Sequence, residues 1–228
     1  SRGTLMVTGD VKVIKVWDAP REKCIVDIPL RSTSQVLTLT SDQVSGNIVV
    51  AGFQDGTMRV YDRRLDSKDT MVKVYKPRNG LEKSPIRNVH MQRGGARELI
   101  SGSSNGLVQL WDIRRDEPIV KFRAFEKSMT TAFIHEHAPI IACASKEVDI
   151  YSTSGRRVAE IAGGGFINTL NGTVRNNTFI NSLSLHPHRM MAATNHNQSA
   201  EISIYECREG GDSEDEFYSR EELIGDYE

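Results

Sequence analysis

Short apolar runs recur along the chain, some alternating with polar residues and others apolar throughout, with turn-forming residues between them. An alternation of period two sets one face of a strand against a core, and a fully apolar run fits a strand covered on both faces. Before the last twenty residues, no stretch sustains the 3.6-residue period of an amphipathic helix. The pattern predicts an all-β chain.

The runs also repeat. Thr8-Gly9-Asp10-Val11 leading to Val16-Trp17-Asp18 aligns with Ala51-Gly52-Phe53-Gln54-Asp55-Gly56 leading to Val60-Tyr61-Asp62. A third copy runs from Ser101-Gly102-Ser103-Ser104-Asn105-Gly106 to Leu110-Trp111-Asp112. Two weaker copies end at Tyr151 and Tyr205 and lack the Asp. The aromatics stand at 17, 61, 111, 151 and 205, with spacings of 44, 50, 40 and 54 residues. One WD-repeat blade takes roughly 40–45 residues, so each copy reads as a four-stranded propeller blade whose aromatic-Asp pair closes the third strand.

On this reading Trp17, Asp18, Tyr61, Asp62, Trp111, Asp112, Tyr151 and Tyr205 are structural anchors. Each aromatic wedges between adjacent blades, and each Asp bonds the backbone of the following turn. Asp55-Gly56 and Asn105-Gly106 predict hairpins with type I′ turns. Val36-Leu37-Thr38-Leu39 and Ser182-Leu183-Ser184-Leu185 read as innermost strands. The first unit opens on its second strand, so its innermost strand is expected before residue 1. The expectation is a C-terminal propeller portion with about five recognisable blades of seven over residues 1–208. An acidic, disordered tail over 209–228 follows it.

Charge supports that division. The chain carries 29 Lys+Arg against 30 Asp+Glu, but residues 209–228 hold nine acidic residues and one basic. The body is therefore mildly basic, with its basic residues spread out, and no nucleic-acid partner is expected. No apolar run approaches the roughly 18 residues of a membrane-spanning helix, and Ser1-Arg2-Gly3-Thr4 opens no signal peptide. Three scattered cysteines build no disulfide framework, which fits a reducing, cytoplasmic compartment.

Candidate chemistry is sparse. Gly102-Ser103-Ser104-Asn105-Gly106 matches the G-x-S-x-G nucleophile elbow, yet that motif needs a strand-to-helix turn, and strands flank it here. His135-x-His137 and His186-x-His188 resemble metal-binding pairs, but both fall in the turn between a blade's first and second strands, with no Cys or carboxylate cluster beside them. Gly163-Gly164-Gly165 lacks the Lys-Ser/Thr of a phosphate loop and fits a long inter-blade connection instead. No catalytic residue, metal or cofactor is expected. Arg63-Arg64, Arg114-Arg115 and Arg156-Arg157 each follow an aromatic anchor, which makes them a candidate basic rim for an acidic partner surface or an anionic membrane.

Longer strings carry a resemblance. Thr8-Gly9-Asp10-Val11 with Asp27-Ile28-Pro29, Arg59-Val60-Tyr61-Asp62-Arg63-Arg64, Asn88-Val89-His90-Met91-Gln92-Arg93, His135-Glu136-His137-Ala138-Pro139 and His186-Pro187-His188-Arg189-Met190-Met191 resemble the C-terminal propeller of the raptor family, especially its fungal members. The resemblance implies a non-enzymatic scaffold of TOR complex 1 that supports assembly, nutrient-responsive growth signalling and recruitment of substrates to the TOR kinase through the full-length protein. It also implies peripheral association with vacuolar or lysosomal membranes as part of that complex. The competing reading is a WD-repeat adaptor of an unrelated complex, in trafficking or ubiquitin ligation. The acidic tail does not match the family.

Overall fold

The computed structural model describes residues 5–9, 12–42, 44–78, 83–92, 99–161, 179–197, 202–206 and 218–220. They form five antiparallel sheets in a β-propeller-like arrangement. The first sheet contains β1 (Leu5–Gly9), β2 (Val13–Asp18) and β3 (Lys23–Pro29), and the second β4 (Val36–Ser41), β5 (Ile48–Phe53), β6 (Met58–Asp62) and β7 (Met71–Tyr75). The third contains β8 (Ile86–Met91), β9 (Leu99–Ser103), β10 (Leu107–Trp111) and β11 (Val120–Arg123). The fourth runs through β12 (Thr131–Ile134), β13 (Ile140–Ala144), β14 (Val148–Ser152) and β15 (Arg157–Ile161). The fifth consists of β16 (Ile180–Leu185), β17 (Met191–His196), β18 (Ile202–Glu206) and β19 (Tyr218–Arg220).

Strands follow chain order within every sheet, so each sheet is a meander of local hairpins. The two sequences read as innermost strands are β4 and β16, each first in its sheet. In the first sheet, β2 holds the Trp17-Asp18 anchor and pairs with both β1 and β3. β19 lies within the acidic stretch and pairs with β18 through Glu206↔Tyr218. The expectation of a disordered tail therefore does not extend to those three residues. The remainder of 209–228 lies outside the described residues.

The hairpin prediction holds in place but not in type. A type I′ turn needs positive φ at two central residues. Only the glycines adopt it here, with φ of 81° at Gly56 and 85° at Gly106. Gly56 N donates to Phe53 O at 3.2 Å, and Gly106 N donates to Ser103 O at 3.0 Å. Each loop is thus three residues long and ends on a left-handed glycine. The reason lies in the preceding side chain. Asp55 Oδ1 accepts from Thr57 N at 2.9 Å and from Thr57 Oγ1 at 2.7 Å, which holds Asp55 itself out of the left-handed region.

Apolar side chains fill the seams between sheets. Val49, Ala51, Phe53 and Tyr61 of the second sheet pack with Ile14, Val16 and Ile28 of the first. Trp111 and Leu99 of the third pack with Val50, Met58, Val60 and Tyr75 of the second. The two later seams repeat the arrangement with Tyr151 and Tyr205.

The glycine of each strong repeat has a steric reason: it faces the next sheet's innermost strand. A Cβ on Gly52 would sit 2.6 Å from Ile86 Cγ2 and 2.7 Å from Thr38 Cγ2. Ile86 is buried and has little room to yield. Gly52→Val is expected to cost about 1–3 kcal/mol by overpacking, read as a lowered urea midpoint.

Three outer strands carry a β-bulge opposite the anchor aromatic. The extra residues are Ile25, Val72 and Val158, and all three are exposed. Bulges of this kind twist an open edge away from the flat geometry that would template a foreign strand.

Candidate interaction surfaces

Four of the anchor aromatics, Tyr61, Trp111, Tyr151 and Tyr205, belong to the apolar clusters between sheets. Trp111 is buried and lies against the ring of Tyr75 from the preceding sheet, with centroids 4.6 Å apart. Its indole N–H donates to Ser101 Oγ at 2.9 Å. Trp17 makes the same bond, to Thr8 Oγ1 at 2.9 Å, but is only half-buried on the first sheet. Tyr61, Tyr151 and Tyr205 are buried. The Tyr151 hydroxyl reaches Ala124 O, on the connection from the preceding sheet, at 3.1 Å.

Strand register makes the tryptophan partner a repeat position. Thr8, Ala51, Ser101, Cys143 and Thr194 occupy equivalent places, two residues beyond the partner of each anchor. Both tryptophans face a hydroxyl there, because an indole N–H needs an acceptor when buried. Opposite Tyr61 and Tyr151 the position is Ala or Cys, and opposite Tyr205 it is Thr194.

Each anchor Asp bonds its following turn. Asp62 Oδ1 accepts from Arg64 N at 3.0 Å, and Asp112 Oδ1 accepts from Arg114 N at 3.0 Å. The guanidinium groups close both pairs, with Arg64 Nη2–Asp62 Oδ2 and Arg114 Nη2–Asp112 Oδ2 at 2.6 Å. The fourth sheet lacks the Asp after Tyr151 but replaces it from within the strand. There the buried Asp149 accepts from Arg157 Nε at 3.0 Å.

Hydrogen bonds from Arg64 and Arg114 hold the Asp62 and Asp112 carboxyls below the ordinary carboxylate range. A lowered folded-state value means these groups add stability above the unfolded value of about 3.9, and that stability is lost as pH falls through the folded value. The stability difference between the parent and Asp112→Asn is therefore expected to be full at pH 7 and to shrink below about pH 4. Urea unfolding at the two pH values checks this.

The six arginines of the candidate rim do not stand equally free. Arg64, Arg114 and Arg157 are held by Asp62, Asp112 and Asp149, and Arg63 Nε donates to Gly46 O at 2.6 Å. Arg115 and Arg156 remain exposed, one in each of two equivalent turns. Acidic residues share the second- and third-sheet turns, among them Asp66, Asp69, Asp116 and Glu117. The rim is mixed in charge: Arg64, Arg114 and Arg157 are exposed but engaged by aspartates, and Arg115 and Arg156 are exposed as well.

The histidine pairs come together in a way that spacing does not reveal. His137 and His188, on neighbouring sheets, stack with centroids 5.0 Å apart and planes at 14°. Stacked rings point their nitrogen lone pairs side by side, not at a common centre. Among the described residues no group of three or more His, Cys, Asp or Glu could hold a metal ion. The G-x-S-x-G match is the β9–β10 hairpin, where Ser104 Oγ lies 2.8 Å from Ser84 Oγ. Gly163-Gly164-Gly165 lies outside the described residues.

The chain is 42% identical over 91% of its length to the target of rapamycin complex 1 subunit KOG1 of Saccharomyces cerevisiae, and 39% identical over 90% to the target of rapamycin complex 1 subunit mip1 of Schizosaccharomyces pombe. It spans about 15% of the length of either relative. The crystal structure of Chaetomium thermophilum Raptor matches with a TM-score of 0.79 and 39% identity, over 90% of this chain and 18% of that one. Residues 27–205 match the family model described as nucleolar protein 10-like, N-terminal domain, and the chain belongs to that β-propeller family.

Proposed function

We propose that this chain is the C-terminal propeller of a raptor-type scaffold subunit of TOR complex 1. The observation that carries the proposal is likeness to fungal TOR complex 1 subunits across nearly the whole propeller. The propeller acts by presenting surfaces, not by chemistry. Seam-packed sheets hold their connecting turns rigidly, and turns on a rigid scaffold suit partner contact. Within the full-length protein it supports complex assembly and the recruitment of substrates to the TOR kinase. The complex is cytoplasmic and reaches the vacuolar or lysosomal membrane peripherally.

The test is a partner census. The intact protein is tagged at its native locus, purified gently, and its companions identified. Recovery of the TOR kinase with its small WD-repeat subunit is expected. Recovery of trafficking or ubiquitin-ligase components in their place would overturn the assignment. Arg115 and Arg156 are proposed to meet an acidic partner surface, because both residues are exposed. Arg115→Glu with Arg156→Glu is expected to lower partner recovery several-fold and to make it less sensitive to salt. Unchanged recovery at every salt concentration would remove the two arginines from the interface.

A further inference from the structure

Five of the six histidines in the chain, His90, His135, His137, His186 and His188, belong to β8 and to the β12–β13 and β16–β17 turns. The two turns meet across the seam between the fourth and fifth sheets. His135 Nδ1 accepts from His137 N at 3.1 Å and from Ala138 N at 3.0 Å, so that nitrogen carries no proton. Its Nε2 lies 3.3 Å from Arg189 O on the neighbouring sheet, where it acts as the donor. His135 is thus a neutral ring that closes its own turn and bonds the next sheet. His186 repeats half of this, its Nδ1 accepting from His188 N at 3.1 Å. The second residue of each pair then stacks on the other, His137 upon His188.

We propose that this histidine seam is a proton-sensitive contact between the fourth and fifth sheets, closed when the imidazoles are neutral and loosened when they are protonated. Two features carry it. A proton on Nδ1 of His135 or His186 turns an acceptor into a donor that faces backbone N–H groups, so the turn loses its closing bonds. Charging both His137 and His188 sets like charges about one ring-stacking distance apart. Imidazole is the side chain whose ordinary titration falls between pH 5 and 8.

Charged and titratable groups among the described residues surround the seam. Glu136 lies in the first turn and Arg189 in the second. Arg156 belongs to the β14–β15 turn, whose Thr153 N donates to Pro139 O. His90 of β8 packs its ring on Phe133, and burial pushes its titration down. Glu206 pairs with Met191, where the second turn enters β17.

Hydrogen exchange of the intact protein tests the proposal. Protection of 131–140 and 180–196, corrected for the intrinsic pH dependence of exchange, is expected to fall about tenfold between pH 7.5 and 5.5. Protection of β5 and β6 should not change. His137→Gln and His188→Gln, made singly, each remove the paired charge and should each lessen the response of the seam, leaving the part due to the Nδ1 acceptors of His135 and His186. A parent whose seam protection does not respond to pH would overturn the proposal. So would single variants that respond as steeply as the parent. Each variant keeps one polar exposed side chain, and protection at pH 7.5 reports its folding.

Discussion

Replacing Trp111 with Ala is expected to destabilise the propeller by about 3–5 kcal/mol. The side chain is buried in the seam between the second and third sheets, among Val50, Val60, Tyr75, Ile86 and Leu99. Its loss removes a large apolar side chain from that cluster and leaves Ser101 Oγ without the indole N–H. Trp111→Phe keeps much of the apolar contact and should recover most of the loss. Trp17→Ala removes the same chemical group from a half-buried position, so about 1–2 kcal/mol is expected. Urea unfolding followed by circular dichroism ranks the three variants. Equal losses at Trp17 and Trp111 would show that the seam does not set the energy.

Gly106→Ala should be as costly, about 3–5 kcal/mol, for a different reason. Gly106 holds φ of +85°, where a Cβ is strained, and that Cβ would lie 1.9 Å from Phe125 O. The obstacle is backbone, so no rotamer change relieves it. Ala124 N donates to Gly106 O at 2.8 Å, which ties the connection toward the fourth sheet to this hairpin. Pushing Phe125 away therefore disturbs the seam beyond it. Asn105→Ala in the same turn is the control. It loses a long bond in which Asn105 Oδ1 accepts from Leu107 N at 3.3 Å, worth about 1 kcal/mol.

Much of this architecture was legible from residue pattern. The aromatic-Asp repeat located the third strands because a wedge residue and a turn-capping carboxylate must recur wherever identical sheets stack. The repeat glycines were visible too, but their cause was not. Gly52 is small because Ile86, thirty-four residues onward, occupies the space its Cβ would need. Turn type does not follow from Asp-Gly, which suits two loop lengths, and the Asp55 side-chain bond to Thr57 decides between them.

The interaction surfaces were harder to read. Six arginines in three pairs suggested a basic rim, yet the repeat Asp of the same turn holds Arg64 and Arg114. That engagement follows from the Asp-x-Arg spacing of Asp62 with Arg64 and Asp112 with Arg114. The stacking of His137 on His188 could not be foreseen, since it depends on how two neighbouring sheets are set, which no local spacing encodes.

The measurement that bears most directly on the central claim is removal of the propeller, residues 5–206, from the tagged intact protein. The amount of TOR kinase recovered and the phosphorylation of its substrates are then followed. If the propeller supplies surfaces for the complex, kinase recovery falls, substrate phosphorylation falls with it, and the rest of the scaffold remains soluble. Undiminished recovery together with undiminished phosphorylation would contradict the account and leave the propeller without the role assigned to it.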